Sequence, residues 1–272
     1  MTIGEAITDA KGWLESHDVS SARLDSELLL GHVLKRNRAW LLAHSDDELT
    51  SEERQMYAII VQRRTKRVPL VHLTGMREFY GLELLITPDV LTPRVETEQM
   101  VEWTIKHAPK DSKLIDIGTG SGALAIAIAK HRPDLTITAT EVSVPALKVA
   151  KKNATAHKEK IEFVESDLWD KVKGTYETVV TNLPYLRDDA RRELMEEVRY
   201  EPGVALFGGD DGLELYRKFL ATINEHLTPG GFVFTECDPW QHEELIKEAA
   251  KYGLEPFEED YFILGFKTTK KV

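Results

Sequence analysis

The run Leu114-Ile115-Asp116-Ile117-Gly118-Thr119-Gly120-Ser121-Gly122 constrains the fold more than any other part of the chain. Its first four residues read as a short buried strand, its glycines as a turn, and Ala123 to Lys130 as the helix that follows. A strand that enters a helix through glycines lets a ligand come close to the backbone and aims the helix N-terminus at it. The same alternation continues downstream. Leu135 to Thr140 is a second strand, ending at Glu141, and Pro145 to Ala156 is its helix. Ile161 to Val164 is a third strand, followed by Asp167-Leu168-Trp169. The β-branched run Tyr176 to Thr181 is a fourth, stopped by Asn182-Leu183-Pro184-Tyr185. A helix from Gly212 to His226, a strand Phe232 to Glu236, a helix from Gln241 to Lys251 and two strand-like runs near Pro256 and from Tyr261 to Phe266 close the chain. This pattern predicts a mostly parallel sheet with helices on both faces.

The chain before the alternation has a different period. Thr2-x-x-Glu5 and Thr50-x-x-Glu53 are capping-box patterns, each opening a segment with apolar residues at helical spacing. Leu24, Leu28 and Leu29 mark a second helix and Trp40-Leu41-Leu42 a short third one. Residues 1–68 therefore read as a small helical bundle domain ending at Val68-Pro69. Leu70-Val71-His72-Leu73 and Leu82 to Ile86 look like strands around Gly75 and Gly81, which makes 69–92 a β-hairpin linker. Thr92-Pro93-Arg94-Val95-Glu96-Thr97-Glu98 reads as the first turn of a helix that continues through Met100 and Ile105, and opens a third region, 93–272.

Composition narrows the function classes. With 42% hydrophobic and 30% charged residues the chain belongs with soluble globular proteins. No apolar run approaches a membrane span, and the first residues lack the features of a secretory signal. One cysteine excludes an internal disulfide and is consistent with a reducing cytoplasm. Nine scattered histidines offer no metal-ligand spacing, so no metal site is expected. A net charge of -11 disfavours a grip on duplex nucleic acid. The local basic cluster Arg63 to Arg67 reads most simply as the solvated last turn of a helix.

Two ligands fit the glycine loop. Gly118, Gly120 and Ala123 satisfy the dinucleotide spacing, which would put a pyrophosphate on the helix N-terminus. The extra Gly122 and the preceding Asp116 fit S-adenosylmethionine, whose amino-acid part would face a carboxylate. In either case Glu141 could accept both ribose hydroxyls. Asp167 and Trp169 could hold an adenine through its amino group and its π surface, or be a loop aspartate beside a core tryptophan. At the fourth strand's end, the Asn182 side chain and the Leu183 carbonyl offer two acceptors beside the Tyr185 ring, which suits a planar NH2 group. The plain alternative there is a turn whose asparagine caps its own backbone.

The chain also resembles the HemK/PrmC protein-(glutamine-N5) methyltransferases, which modify the Gly-Gly-Gln loop of class-1 peptide chain release factors. The resemblance runs through Arg67-Val68-Pro69-Leu70 with Gly75 and Phe79, Pro93-Arg94-x-Glu96-Thr97-Glu98, the Asp116 to Gly122 loop, Asn182-Leu183-Pro184-Tyr185, Tyr200-Glu201-Pro202, Ala205-Leu206 and Gly208-Gly209-x-Asp211-Gly212-Leu213. It implies a seven-stranded, Rossmann-like class I methyltransferase domain behind a helical domain that helps dock the release factor, with a hairpin between them. It implies S-adenosylmethionine as cofactor and S-adenosylhomocysteine as product. Cofactor contacts are then expected from Asp116, Gly118, Thr119, Gly120, Ser121, Gly122, Glu141, Val142, Asp167, Leu168, Trp169 and Asn182. Catalysis and substrate binding are expected from Asn182, Leu183, Pro184 and Tyr185, with Pro93 and Arg94 on the substrate side. A cytoplasmic monomer is expected. The rivals are a ribosomal-protein glutamine, an exocyclic adenine amine in nucleic acid, and a non-catalytic cofactor-binding module.

Three positions depart from the family pattern. Leu183 stands where proline is usual, Glu141 where aspartate is usual, and Asp238 where a glycine is usual. The group that matters at position 183 is the main-chain carbonyl, which leucine keeps.

Overall fold

The protein is described here from a computed structural model covering residues 1–269. Two compact units divide the chain. The first holds Met1–Met76 together with Met195–Tyr200, and the second holds Arg77–Leu194 and Glu201 onward.

Helices α1 (Ile3–Glu15), α2 (Ala22–Leu34), α3 (Arg38–Ala43), α4 (Ser51–Thr65) and α5 (Leu70–Thr74) build the first unit. Both capping boxes form: the Thr2 and Thr50 hydroxyls accept from the amides of Glu5 and Glu53, whose carboxylates return to the capping residues. Leu14, Leu29, Leu30 and Leu41 form the interior with Tyr57 and Val61. The cluster Arg63 to Arg67 does close a helix, with Arg63 and Lys66 exposed as expected, but Arg64 and Arg67 are not solvated. Arg64 is buried and donates to Asp25 at 2.6 Å and to Glu197 at 3.0 Å. Arg67 grips both oxygens of Glu197, at 2.7 and 2.8 Å. Tyr200 donates to the Lys66 carbonyl at 2.7 Å. These bonds make the short segment 195–200 part of the helical unit. Burial works against the Glu197 charge, but Arg67 and Arg64 outweigh it and hold its carboxyl down at about 2.

The run 70–73, read as a strand, is helical. Pro69 precedes its first turn and Gly75, at φ 75, closes it. The hairpin exists one step later, as β1 (Met76–Phe79) and β2 (Leu82–Leu85). In the second unit, helix α6 (Glu98–His107) starts later than its sequence suggests, because 91–94 form no regular structure and a turn leads from there to Glu98.

The remaining elements are β3 (Lys113–Ile117), α7 (Ala123–His131), β4 (Thr136–Glu141), α8 (Val144–His157), β5 (Glu162–Glu165), β6 (Tyr176–Thr181), α9 (Glu214–Ala221), α10 (Ile223–His226), β7 (Leu227–Glu236), α11 (His242–Ala250), β8 (Leu254–Glu259) and β9 (Ile263–Thr268). They form a seven-stranded sheet in the order β5-β4-β3-β6-β7-β9-β8, parallel except where β9 runs against β7 and β8. The chain moves outward from β3 through β4 to β5, then returns to β6 on the other flank of β3. That reversal leaves a crevice at the carboxyl ends of the central strands, where open sheets bind ligands. Helix α7 is buried from Ala123 to Ala129, as an alanine-rich helix apolar all round must be. Asn153 on α8 ties the crevice to the hairpin: it pairs with both backbone groups of Leu85 and donates to the Ser121 carbonyl. Among the described residues no helix is long and apolar enough to cross a membrane.

Candidate active site

The end of β3 is held by its neighbour rather than by its own side chains. The amides of Gly118 and Thr119 both donate to the Thr140 carbonyl, at 2.9 and 2.8 Å. Gly120 donates to Glu141 Oε2 and Ser143 to Oε1, each at 2.9 Å. Glu141 therefore braces the glycine loop from a position in the cleft wall, and each of its oxygens, with one amide donor, keeps further accepting capacity. Gly122 sits at φ 83, where a Cβ would press to 3.0 Å from Ile126 and 3.2 Å from Ala150, so the helix start packs tightly on α8 only without a side chain.

Asp116 is the chemically exposed point of this loop. It is 1% accessible; Thr119 donates to its Oδ2 at 2.6 Å, and its Oδ1 has no partner. Burial pushes its carboxyl up to about 7, against the pull of the Thr119 hydroxyl and the Ala125 amide. A buried carboxylate with one unused oxygen at a cleft wall fits an incoming cation such as an ammonium.

The cleft has a volume of about 290 Å3. Asp116, Gly118, Thr119, Gly120 and Ser121 line it, as do Glu141, Val142, Asp167, Leu168, Asn182, Leu183 and Pro184. Pro93 and Arg94 also line it. Trp169 is the exception. It is buried in the core, stacked between Phe219 and His226, with its indole N–H on the Phe219 carbonyl at 2.9 Å. Leu168, at φ 44, lies in the cleft wall instead. The apolar wall beside Asp167 is thus supplied by Leu168 and the half-exposed Val142. Gly122 and Tyr185 are also absent from the cleft lining; Gly122 acts through helix packing, and Tyr185 turns its hydroxyl to Glu236.

At the end of β6, Asn182 and Leu183 both line the cleft. The Leu183 carbonyl is not unpartnered, since Tyr216 points its hydroxyl there at 3.3 Å while making a much shorter bond to the Glu236 carbonyl. One hydrogen serves the shorter bond, and Leu183 keeps accepting capacity. The Leu183 side chain packs under the glycine loop, 3.5 Å from where a Cβ on Gly118 would sit, so leucine replaces the family's proline as an apolar support. Tyr185 donates to Glu236 Oε1 at 3.1 Å, and Thr97 to Oε2 at 2.6 Å. Burial raises the Glu236 carboxyl above its ordinary range, and hydrogen bonds from Thr97, Tyr185 and Asn182 pull it back.

Other parts of the resemblance find their reasons in packing. Glu201, buried, accepts from Arg94 at 2.6 Å, which fixes the Pro93-Arg94 wall and keeps that segment out of a helix. Gly208 passes so close to the strand end that a Cβ would stand 2.3 Å from the Pro184 carbonyl; only glycine allows that approach. Gln241 donates to the carbonyls of Tyr185 and Asp211, both at 3.0 Å. Asp238, at φ -67, has no need of glycine's freedom, and its side chain caps the turn that carries Gln241. Glu236 and Tyr216 were not candidates from sequence, because nothing local marks them, and Thr97 and Glu201 stood within motifs of the resemblance without an assigned role.

Comparison with known proteins agrees with this geometry. Residues 5–75 match the PrmC N-terminal domain family and residues 97–199 the methyltransferase small domain family. A Coxiella burnetii protein named release factor glutamine methyltransferase is 40% identical over 228 residues, 82% of each chain. The Koribacter versatilis protein of the same name is 36% identical over 241 residues, covering 87% of this chain and 86% of that one. The Escherichia coli protein of that name is 35% identical over 232 residues, covering 84% and 83%. Among solved structures, a methyltransferase from Pyrococcus furiosus shares the fold with a TM-score of 0.54 at 20% identity, over 76% of this chain and 98% of that one. The 16S rRNA N2 G1207 methyltransferase of Thermus thermophilus gives 0.53 at 17% identity, over 71% and 49%.

Proposed function

Since the chain belongs to the release factor glutamine methyltransferase family, we propose that it methylates the side-chain amide nitrogen of the glutamine in the Gly-Gly-Gln loop of class-1 release factors. The cofactor is S-adenosylmethionine, which supplies an electrophilic methyl group on a sulfonium. The observation that supports the reading is that Asn182 and Leu183 line the same cleft as Asp116, one of whose oxygens has no partner. Asp116 would hold the amino group, Glu141 the ribose hydroxyls, and Val142, Asp167 and Leu168 the base.

An amide nitrogen is a weak nucleophile, because its lone pair is shared with its carbonyl. What the chain contributes is orientation. Asn182 Oδ1 and the Leu183 carbonyl each accept one hydrogen of the substrate NH2, which fixes its plane and favours the positive charge that grows on nitrogen. Pro184 and the Pro93-Arg94 segment bound the substrate side. No strong base touches the cleft at this point, and the proton leaves after transfer. Residues 1–68 would help dock the release factor. The enzyme would act as a cytoplasmic monomer without gripping duplex nucleic acid, a reading that the net charge of -11 supports. The shared name of the relatives favours a glutamine amide over an adenine amine.

The test is mass analysis of a purified class-1 release factor after incubation with this protein and labelled S-adenosylmethionine. Label on the Gly-Gly-Gln glutamine is expected, and label on RNA or on a ribosomal protein alone would overturn the assignment. Asn182→Ala should lower kcat about a hundredfold, the effect of losing one transition-state hydrogen bond worth about 2.7 kcal/mol.

A further inference from the structure

Three donors converge on one carboxylate behind the catalytic asparagine. Glu236, the last residue of β7, is 2% accessible and in no ion pair among the described residues. Thr97 reaches its Oε2 at 2.6 Å and Tyr185 its Oε1 at 3.1 Å, and the Asn182 side chain also hydrogen-bonds to it. An ionised carboxylate accepts and cannot donate. Asn182 must therefore present its Nδ2 hydrogens to Glu236, and the two ends of a planar amide point in different directions, so Oδ1 is left for the cleft that Asn182 lines.

We propose that Glu236 is a positioning residue that locks the Asn182 amide with its oxygen toward the substrate. The two ends of an asparagine amide are nearly the same size, so shape alone does not choose between them. A flipped amide would aim NH2 at the substrate's own NH2, two donors facing each other with no acceptor between. Hydrogen-bond polarity from behind is what selects the productive orientation. Tyr185 hangs from the same carboxylate, and Tyr216 bonds the Glu236 carbonyl beside the Leu183 carbonyl. Both acceptors of the strand end are thereby referred to one residue of the neighbouring strand. This inference rests on the reading that Asn182 receives the substrate amide.

The experiment compares variants in single-turnover methylation of a purified class-1 release factor, with S-adenosylhomocysteine affinity measured by calorimetry as the control. Glu236→Ala should lower the rate about a hundredfold, the scale of a catalytic group misplaced by about 1 Å, while leaving S-adenosylhomocysteine affinity within about twofold. Glu236→Gln should lose less than about tenfold, because its amide oxygen still accepts from Asn182 and Tyr185 while its NH2 donates to a rotated Thr97 hydroxyl. Asn182→Asp sets carboxylate against carboxylate and should be slow. Combining it with Glu236→Gln reverses donor and acceptor, keeps an oxygen toward the cleft and should restore at least about tenfold over Asn182→Asp alone. That rescue decides the matter even if Glu236→Ala fails to fold. A double variant no faster than Asn182→Asp, or a Glu236→Ala enzyme at the full rate beside a slow Asn182→Ala, overturns the inference and leaves the function standing. Asn182→Ala at the full rate removes the premise, and the inference with it.

Discussion

Buried carboxylates are paired with arginines in the helical unit, whereas in the sheet unit Glu201 has such a partner in Arg94 and others have none among the described residues. In the helical unit, Asp25 and Glu197 are held by Arg64 and Arg67 in a closed set of ion pairs. In the sheet unit, Asp116 and Glu236 are at least as buried and pair with no cation among the described residues. They are held by hydroxyls and amides alone, and Asp116 keeps one oxygen unused. A buried charge that a protein neutralises internally serves architecture. One left without a counter-ion at a cleft wall, as Asp116 is, is energetically unfavourable until something binds, which is the basis for proposing that it receives the cofactor's amino group.

The largest effect should come from opening the closed set. Arg64→Ala strands Asp25 in the interior and is expected to lower stability by about 3–5 kcal/mol, measured by urea denaturation. A loss below about 1 kcal/mol would mean that the pairing is not what anchors the helical unit. The mirror experiment is Asp116→Asn. Stability should stay level or rise, whereas S-adenosylhomocysteine affinity should fall by about 2 kcal/mol, on the order of thirtyfold in Kd, because a charged hydrogen bond to the ligand is lost. A destabilised variant with intact affinity would erase the contrast between the units.

A pH titration sharpens it further. Burial lifts the Asp116 carboxyl from 3.8 to about 7 in the folded protein, so the native state holds this proton more tightly than the unfolded chain. Its contribution to stability is therefore fully present below about 4 and declines as pH rises toward about 7. The melting temperatures of the wild type and Asp116→Asn should diverge across that window and run parallel above it. Cofactor-product affinity should move the other way, rising with pH as the carboxylate forms. The smallest expected effect belongs to Trp169→Phe. Loss of its bond to the Phe219 carbonyl should remove about 1 kcal/mol of stability and change S-adenosylhomocysteine affinity less than about twofold. A large affinity loss would return Trp169 to the cleft.

The sequence made the local parts of this molecule legible. The capping boxes, the Gly118 to Gly122 turn and the fourth strand from Tyr176 to Thr181 form where they were read, because each is decided by residues within a few positions of one another. The misreadings have separate causes. The apolar run 70–73 carries no period that separates strand from helix, and Gly75 decided it by closing a helical turn. Trp169 stood next to Asp167 in sequence and was placed beside it in function, but the Leu168 backbone turns the indole into the core. Pro93 looked like a helix opener until Arg94 was seen held by Glu201.

By itself, then, the sequence determined an alternating sheet with a glycine loop at its centre and an asparagine at the mouth of its fourth strand. Hydrophobic period and turn chemistry act over a few residues and survive being read in one dimension. Only the tertiary structure decided what stands behind that asparagine. Thr97 and Tyr185 lie 139 and 51 residues from Glu236 along the chain, and no pattern of composition or spacing records a contact made that far apart. Such contacts exist because strand order brings β6 beside β7, and strand order is a property of the packed sheet rather than of any segment within it.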